Sequence, residues 1–312
     1  MKYLSKFLFI AFVSSAFLLQ SCDEDDRTTL SNITTTAVAD SDLSTLVAAL
    51  TKADLVNTLN GSGPFTVFAP TNAAFTQLLA DLNVNSLDDI DDATLKAVLL
   101  YHVVSGSVAS TDLTNGYVPS LSDGPESTKM DILVDLTSGV TLNGSSSVTS
   151  ADIMATNGII HKINKVILPP NVVNIAQNND NFSSLVAALT RADHTTDFVS
   201  ILTGTGPFTV FAPTNAAFQA LLDSNEDWTT LDDIPVGTLD AVLKYHVVNG
   251  ANVESGELSD EQMVTTLGGT ITIDLTNGAQ VKTTSAQTVD IIATDVQGSN
   301  GIVHVIDQVL LP

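Results

Sequence analysis

The chain has 312 residues, 44% of them hydrophobic, which is enough for about two ordinary domains that each bury a core. Its 11 Lys and Arg residues stand against 35 Asp and Glu residues, so the formal net charge is −24 at pH 7. A surface this acidic repels nucleic acid and anionic lipid headgroups, and the composition therefore argues against a protein that binds nucleic acid.

The first 21 residues have the pattern of a secretory signal peptide. Lys2 and Lys6 precede an apolar run over residues 7–19, which is short for a helix that spans a bilayer. The run ends in LLQSC, where Cys22 is the only cysteine of the chain. This arrangement resembles a bacterial lipobox, which predicts export and attachment to the outer membrane through a lipidated Cys22. The alternative is an ordinary signal peptide followed by an incidental cysteine.

An acidic stretch follows, and residues 22–35 are predicted to form a polar tether. It begins with DEDD at residues 23–26, which resembles a signal for display on the outer surface of some Gram-negative cells. A solvated linker explains the same residues, and the two interpretations are compatible. We therefore expect surface exposure, with the periplasmic face as the alternative.

The remainder of the chain is a tandem repeat. The stretch GPFTVFAPTNAAF occupies residues 63–75 and returns at residues 206–218. Three other segments recur in the same order: LSTLVAALTKAD as FSSLVAALTRAD, TLKAVLLYHVV as TLDAVLKYHVV, and NGIIHKINKVILP as NGIVHVIDQVLLP. The repeating unit has about 140 residues, which is the size of a domain rather than of a solenoid repeat. We predict two domains, over residues 36–170 and 171–312.

Helical patterns come early in each unit and strand patterns come late. Residues 43–50 place leucines on one helical face, with Ser41 or Asp42 as the cap. FTVFAP then alternates as a strand, and Thr71 or Asn72 caps the helix that follows it. A third helix precedes four segments with strand character, which are separated by Gly, Asn and Ser. This order predicts an α+β fold with a mainly antiparallel sheet.

Three of the repeated motifs together resemble the fasciclin-like (FAS1) domain family. They are the FTVFAPTNAAF stretch, the closing NGIIHKINKVILP or NGIVHVIDQVLLP segment, and a central Tyr-His pair at Tyr101-His102 and Tyr245-His246. The resemblance covers residues 36–312. It implies that each domain is a β-sandwich or wedge flanked by helices. It also implies extracellular adhesion or ligand binding rather than catalysis, and no cofactor.

The resemblance also implies candidate contact residues. In animal members, an Asp-Ile pair before the closing motif and the Tyr-His region are implicated in integrin binding. Only the position carries over to this chain, and the candidates are Asp152, Ile153, Asp290, Ile291, Tyr101, His102, Tyr245 and His246. The alternatives are that each Tyr-His pair packs inside its domain and that the aspartates are turn or bulge residues.

Catalytic and metal-binding patterns are missing from the sequence. It contains no G-x-S-x-G elbow, no H-E-x-x-H motif and no phosphate-binding loop. His161 and His304 lie in apolar alternation, which favours histidines bonded to backbone within the sheet. The acidic LDDIDD at residues 87–92 lacks the spacing of a calcium loop, and helix capping explains it better. We predict a protein without enzymatic activity or metal.

The sequence therefore favours a lipid-anchored binding protein that mediates adhesion to extracellular matrix, to polysaccharide or to another cell. An accessory subunit that contacts a partner protein in a cell-envelope complex is the alternative. An envelope hydrolase is a third hypothesis, because a fold alone does not exclude added chemistry.

Overall fold

The computed structural model of the protein describes residues 30–312. The predicted signal peptide, Cys22 and most of the predicted tether lie outside these residues. Ser31–Pro312 form one compact unit. Within residues 30–312, none of the helices has the length and apolar character needed to cross a membrane.

Each repeat contains five helices and seven strands within the described residues. The first runs α1 Ile33–Ala39, α2 Ser44–Lys52, α3 Val56–Leu59, β1 Phe65–Pro70, α4 Asn72–Asp81, α5 Asp92–Tyr101, β2 Val103–Ser105, β3 Gly116–Asp123, β4 Lys129–Asp135, β5 Thr141–Leu142, β6 Ser146–Ala155 and β7 Gly158–Ile163. The second runs α6 Val172–Gln177, α7 Ser183–Leu189, α8 Phe198–Leu202, β8 Phe208–Pro213, α9 Asn215–Asp223, α10 Val236–Tyr245, β9 Val247–Asn249, β10 Met263–Thr266, β11 Gly269–Asp274, β12 Gln280–Lys282, β13 Thr288–Gly298 and β14 Gly301–Ile306.

The strands of each domain form a strongly curved sheet. In the first domain β1 to β7 close into a barrel, in which only β1 and β7 pair in parallel. The second domain has the order β10-β11-β12-β13-β14-β8-β9, again with one parallel pair, β14 and β8. The predicted α+β fold with mainly antiparallel strands is confirmed.

Strand β1 separates two apolar clusters in the first domain. Val67 and Ala69 face the helices, where they join a cluster with Leu46, Leu50, Phe75 and Leu99. Phe68 points the other way, into a cluster inside the curved sheet with Tyr101, Ile132, Leu142 and Ile163. Because both faces of the strand are covered, FTVFAP is apolar or small at almost every position. The second domain repeats this division around β8.

The asparagine of the repeated PTNAAF segment joins two helices. Asn72 Oδ1 accepts the Thr45 N–H at 2.8 Å, and its Nδ2 donates to the Ser41 carbonyl at 2.8 Å. The N-terminus of α2 is thus capped by a distant side chain, and the prediction of Ser41 or Asp42 as its cap is wrong. Thr71 caps α4 itself. In the second domain Asn215 makes the same two bonds, so this part of the motif fixes helix packing.

The asparagine of the closing motif holds the first helix of each domain. Asn157 Oδ1 accepts the Ile33 N–H at 2.9 Å, and its Nδ2 donates to the carbonyls of Leu59 and Gly61, at and just beyond the end of α3. Asn300 does the same for the Val172 N–H. Helix α1 therefore begins inside the stretch predicted as tether, and the first domain starts before residue 36. The polar character of residues 22–35 did not indicate this start, because the helix is held by the long-range bond between the Ile33 N–H and Asn157.

The acidic segment between α4 and α5 caps helices, as predicted. Asp91 accepts the N–H groups of Ala93 and Thr94 at the start of α5. Asp89 completes a capping box with Ser86. Both carboxylates thus satisfy backbone donors that a helix start leaves without partners.

Candidate functional site

The tyrosine of each Tyr-His pair is buried at the end of a helix. Tyr101 is the last residue of α5, and its hydroxyl donates to the Asp131 carbonyl on β4 at 2.6 Å. The same hydroxyl accepts a bond from Asn143 Nδ2 at 3.0 Å. Burial raises the pKa of the Tyr101 hydroxyl. Tyr245 repeats the arrangement with the Thr270 carbonyl on β11, so each tyrosine ties a helix end to the sheet.

The histidine of each pair connects the helix end to the segment after the last strand. His102 Nδ1 lies 2.7 Å from the Val98 carbonyl, and its Nε2 accepts the Ile167 N–H at 3.0 Å. His246 makes the same contacts with the Val242 carbonyl and the Leu310 N–H. This pattern requires a neutral ring with its proton on Nδ1. Burial lowers the pKa of both histidines to about 4.

All four Tyr-His residues thus lie inside the domains. They are almost completely inaccessible to solvent, and their polar atoms bond to neighbouring backbone or side-chain groups. Their positions agree with the alternative that each Tyr-His pair packs inside its domain, and none of the four residues is exposed to a partner.

Asp152 occupies a bulge in β6. Its φ of 61° lies in the left-handed region, and the pairing of β6 with β7 shifts register beside it. Its carboxylate accepts the Ser110 N–H at 2.8 Å and the Ser110 hydroxyl at 2.6 Å, and these bonds lower the pKa of the carboxyl group. Its own N–H donates to Nδ1 of the buried His161 at 3.2 Å, while His161 Nε2 lies 2.9 Å from the Val108 carbonyl. The histidine is bonded to backbone, as its apolar context indicated.

The second domain builds the same bulge with Asp295, not with Asp290. Asp295 has a φ of 62°, and its carboxylate accepts the N–H and hydroxyl of Ser255. Its N–H donates to His304 Nδ1 at 3.3 Å. The assignment of Asp290-Ile291 as the counterpart of Asp152-Ile153 is therefore wrong. The assignment relied on the shared Asp-Ile sequence. The spacing to the closing Asn-Gly is the same for Asp152 and Asp295, and this spacing identifies the equivalent residues.

Asp290 lies elsewhere, near the start of β13. Its N–H donates to Asp307 Oδ1 at 2.9 Å, and its carboxylate accepts Gln280 Nε2 at 2.6 Å. Ile291 is half-buried against the cluster inside the sheet. The exposed groups at this edge are the Asp290 carboxylate and Ile292, which is 57% exposed.

The surface at the first bulge combines a carboxylate with an apolar side chain. Asp152 is exposed, Ile153 packs partly against the core, and Met154 is 52% exposed. This edge and the Asp290-Ile292 edge are the parts of the predicted site that solvent reaches. They can offer an acidic hydrogen-bond acceptor beside an apolar contact, which is recognition chemistry rather than catalysis.

Polar groups with unused bonding capacity are scarce inside the domains. Throughout residues 30–312, each buried side-chain nitrogen or oxygen has a hydrogen-bond partner. The fifth histidine, His194, lies between the Asp240 carboxylate and the Ala188 carbonyl. All five histidines have both ring nitrogens engaged, so a general base would first have to give up a structural bond.

One acidic cluster has the composition of a cation site. Asp260, Glu261 and Asp274 bring carboxylate oxygens within 4.8 Å of one another. The Lys282 ammonium lies among them, 2.8 Å from Asp274 and 3.2 Å from Glu261. These bonds lower the pKa of Asp274, so the cluster is explained by an ion pair that joins β11 and β12.

Comparison with known sequences relates both repeats to one family. The fasciclin domain family profile matches residues 41–169 and 180–312. Human periostin is 28% identical over 258 residues, which cover 81% of this chain and 29% of periostin, so the chain spans less than a third of that relative. Protein sll1483 of Synechocystis sp. is 41% identical over 134 residues, covering 43% of this chain and 71% of the relative.

A solved structure shares the two-domain fold. It is the FAS1 domain pair from the insect cell adhesion molecule fasciclin I, with a TM-score of 0.50 and 18% sequence identity. The alignment covers 87% of this chain and 97% of the insect chain.

Proposed function

Because the chain belongs to the fasciclin domain family, we propose that it is a non-catalytic adhesion protein of the cell envelope whose two domains bind matrix or polysaccharide. Its likeness to the domain pair of an insect cell adhesion molecule supports this proposal. The observation that carries it is that the repeated Tyr, His and Asn groups bond within each domain. That leaves the exposed edges for recognition.

Recognition is proposed at the Asp152-Met154 edge and at the Asp290-Ile292 edge. Both offer a carboxylate beside an exposed apolar side chain. A strongly acidic protein repels acidic polymers, so the ligand class that fits is a neutral glycan or a protein segment with basic residues. Two domains on one chain also gain avidity toward a repetitive ligand.

A binding array on the 30–312 segment tests recognition. We expect binding to at least one neutral glycan or matrix protein, with at least about a tenfold loss in Asp152→Asn or Asp290→Asn. Asp54→Asn is the matched control, since Asp54 is also exposed and also has a left-handed backbone, with a φ of 54°. Asn tolerates this backbone, so D152N removes charge while keeping the bulge. The proposal fails if the array shows no binding above background, or if D54N weakens binding as much as D152N and D290N do.

Attachment is tested separately, on cells. We propose that Cys22 carries the lipid anchor and that the protein faces outward. Cys22→Ala should move the protein from the membrane fraction to the soluble fraction, and protease added to intact cells should remove the wild-type protein. Protection from protease would place it on the periplasmic side. If one envelope protein co-purifies in a fixed ratio and adhesion is unchanged by deletion, the accessory-subunit hypothesis replaces adhesion.

A further inference from the structure

The two domains meet through unlike surfaces. Tyr117 on β3 of the first domain packs against the helix-side core of the second domain. Its hydroxyl accepts a bond from Asn179 Nδ2, just beyond α6, at 2.9 Å. The first domain thus contributes a strand surface, and the second contributes the end of its first helix.

Strand β13 supplies the rest of the second-domain surface. The Gln297 N–H donates to Asp131 Oδ2 on β4 at 2.8 Å. Gln297 is completely buried, and a Cβ on Gly124 would lie 3.3 Å from its side chain. The contact is therefore head-to-tail, because the two domains use different surfaces. Each domain also has a counterpart of the surface that the other domain uses, and this counterpart is left unused.

The unused strand surface belongs to the second domain. Tyr117 lies opposite Leu133 in the β3–β4 pair, and Met263 lies opposite Thr272 in the β10–β11 pair. The tyrosine hydroxyls bond to the equivalent carbonyls of Asp131 and Thr270, which fixes this register. Met263 thus has the position of Tyr117, and it is 73% exposed. We name Met263, Leu267 and Thr270 the free strand face.

The unused helix surface belongs to the first domain. Met154 on β6 lies opposite Ile159, as Gln297 lies opposite Ile302, so Met154 has the position of Gln297. Asp40, directly after α1, has the position of Asn179, the partner of Tyr117, and Val38 near it is 66% exposed. We name Val38 and Met154 the free helix face.

We propose that the free strand face of one copy binds the free helix face of a second copy, in the geometry that already joins the two domains within the chain. Two polar side chains of the internal contact have apolar counterparts on the free faces. Met263 stands in place of Tyr117 on one side, and Met154 stands in place of Gln297 on the other. Asp40 stands in place of Asn179, and its carboxylate is paired with Lys162 of its own domain. Apolar side chains therefore lie on both faces, where a copy-to-copy contact would bury them. Since each copy keeps one face of each kind, copies can join head to tail into assemblies longer than a dimer.

This contact is weaker than the internal one. The β3–β4 connection of the first domain is long and brings Thr128 to Glu254 of the second domain at 2.7 Å. The β10–β11 connection is a tight turn at Leu267 and Gly268, so it lacks this reach. The net charge of −24 also opposes association of like copies. Association should therefore strengthen with salt and with crowding of the protein.

Sedimentation velocity of the 30–312 segment at increasing concentration tests the proposal. We expect wild-type protein to form dimers and longer species, more strongly at high salt. Met263→Glu and Met154→Glu should each lower the association constant at least about tenfold, because each buries a charge. Leu82→Glu, at an exposed apolar residue beyond α4, is the matched control and should associate like the wild type.

Mixing the two variants separates a head-to-tail contact from any other. M263E keeps a free helix face and M154E keeps a free strand face, so an equal mixture should form dimers and stop there. A wild type that stays monomeric at all concentrations and salts would overturn the proposal. So would a mixture that forms no dimer while both variants retain the unfolding midpoint of the wild type. Met154 belongs to both proposed surfaces, but ligand binding on the array is a separate measurement, so failure of self-association leaves the adhesion proposal intact.

Discussion

The two domains repeat the same internal bonds but differ in how each supports its helices. The Tyr-His pair, the aspartate bulge and both asparagine ties occur in each domain. Only the second domain has His194, whose ring joins the Asp240 carboxylate to the Ala188 carbonyl. Lys96 stands at the position of Asp240 in the first domain. Residues that are the same in both copies thus hold the fold, and residues that differ give each domain its own supports and surfaces.

The largest expected effect is one that both domains share, the response to acid. His102 and His246 have pKa values of about 4 when folded, below the ordinary value of 6.5. The folded protein therefore binds fewer protons than the unfolded chain between pH 6.5 and pH 4, and its stability falls as pH decreases through this window. We expect the two histidines together to lower the free energy of unfolding by about 5 kcal/mol between pH 7 and pH 4.5, an amount that Asp131 offsets in part. Urea unfolding at stepped pH measures it, and a flat profile would contradict the assignment.

The next effect separates the domains. Replacing His194 by Ala leaves the Asp240 carboxylate buried without its ring partner, although Thr195 still donates to it. We expect a loss of about 3 kcal/mol in the second domain, because an uncompensated buried charge is costly. Lys96→Ala, at the position of Asp240 in the first domain, should change stability by less than about 0.5 kcal/mol. Equal losses from the two substitutions would show that the difference between the domains is not at this site.

A smaller effect should be alike in the two domains. Tyr101→Phe and Tyr245→Phe each remove a hydroxyl that bonds to a strand carbonyl and accepts a second bond. Each should lower the free energy of unfolding by about 1–2 kcal/mol. Calorimetry of the two variants measures this directly. A loss in only one of them would break the equivalence of the two helix-to-sheet ties.

The last effect belongs to the domain contact. Burial and the nearby Asp295 charge raise the pKa of Asp131 to about 6, although its bond to the Gln297 N–H acts in the opposite direction. The folded state therefore takes up a proton at higher pH than the unfolded chain, which adds stability as pH falls from about 6 toward 4. Asp131→Asn removes the stabilisation that protonation of Asp131 gives. The free energy of unfolding of this variant should therefore fall more steeply between about pH 6 and about pH 4 than that of the wild type. A slope identical to that of the wild type would contradict the raised pKa.

Much of the fold could be predicted because the same helix and strand patterns occur in both repeats. The pattern of FTVFAP indicated a strand, and the structure confirms it. The structure adds that both faces of the strand are covered, by packing around Phe68 on one side and around Val67 and Ala69 on the other. The caps supplied by Asn72 and Asn157 could not be predicted, since they depend on residues that are distant in sequence. Local propensity carries no information about such bonds.

The candidate site was predicted less well, for a related reason. Asp290-Ile291 resembles Asp152-Ile153 in its letters, but the bulge is defined by strand register and by a bond to a buried histidine. Asp295 satisfies that geometry and is followed by valine. Similarly, the Tyr-His pair was recognised as a repeated motif, but the sequence did not indicate that both of its side chains are buried.

The repeated histidines hold the fold of both domains, and a long-range ¹H–¹⁵N spectrum of the imidazole rings tests this most directly. We predict that His102 and His246 carry their proton on Nδ1, and that His161 and His304 carry theirs on Nε2. His102 and His246 should also stay neutral down to about pH 4. Rings that exchange tautomers, or His102 and His246 titrating near pH 6.5, would contradict it.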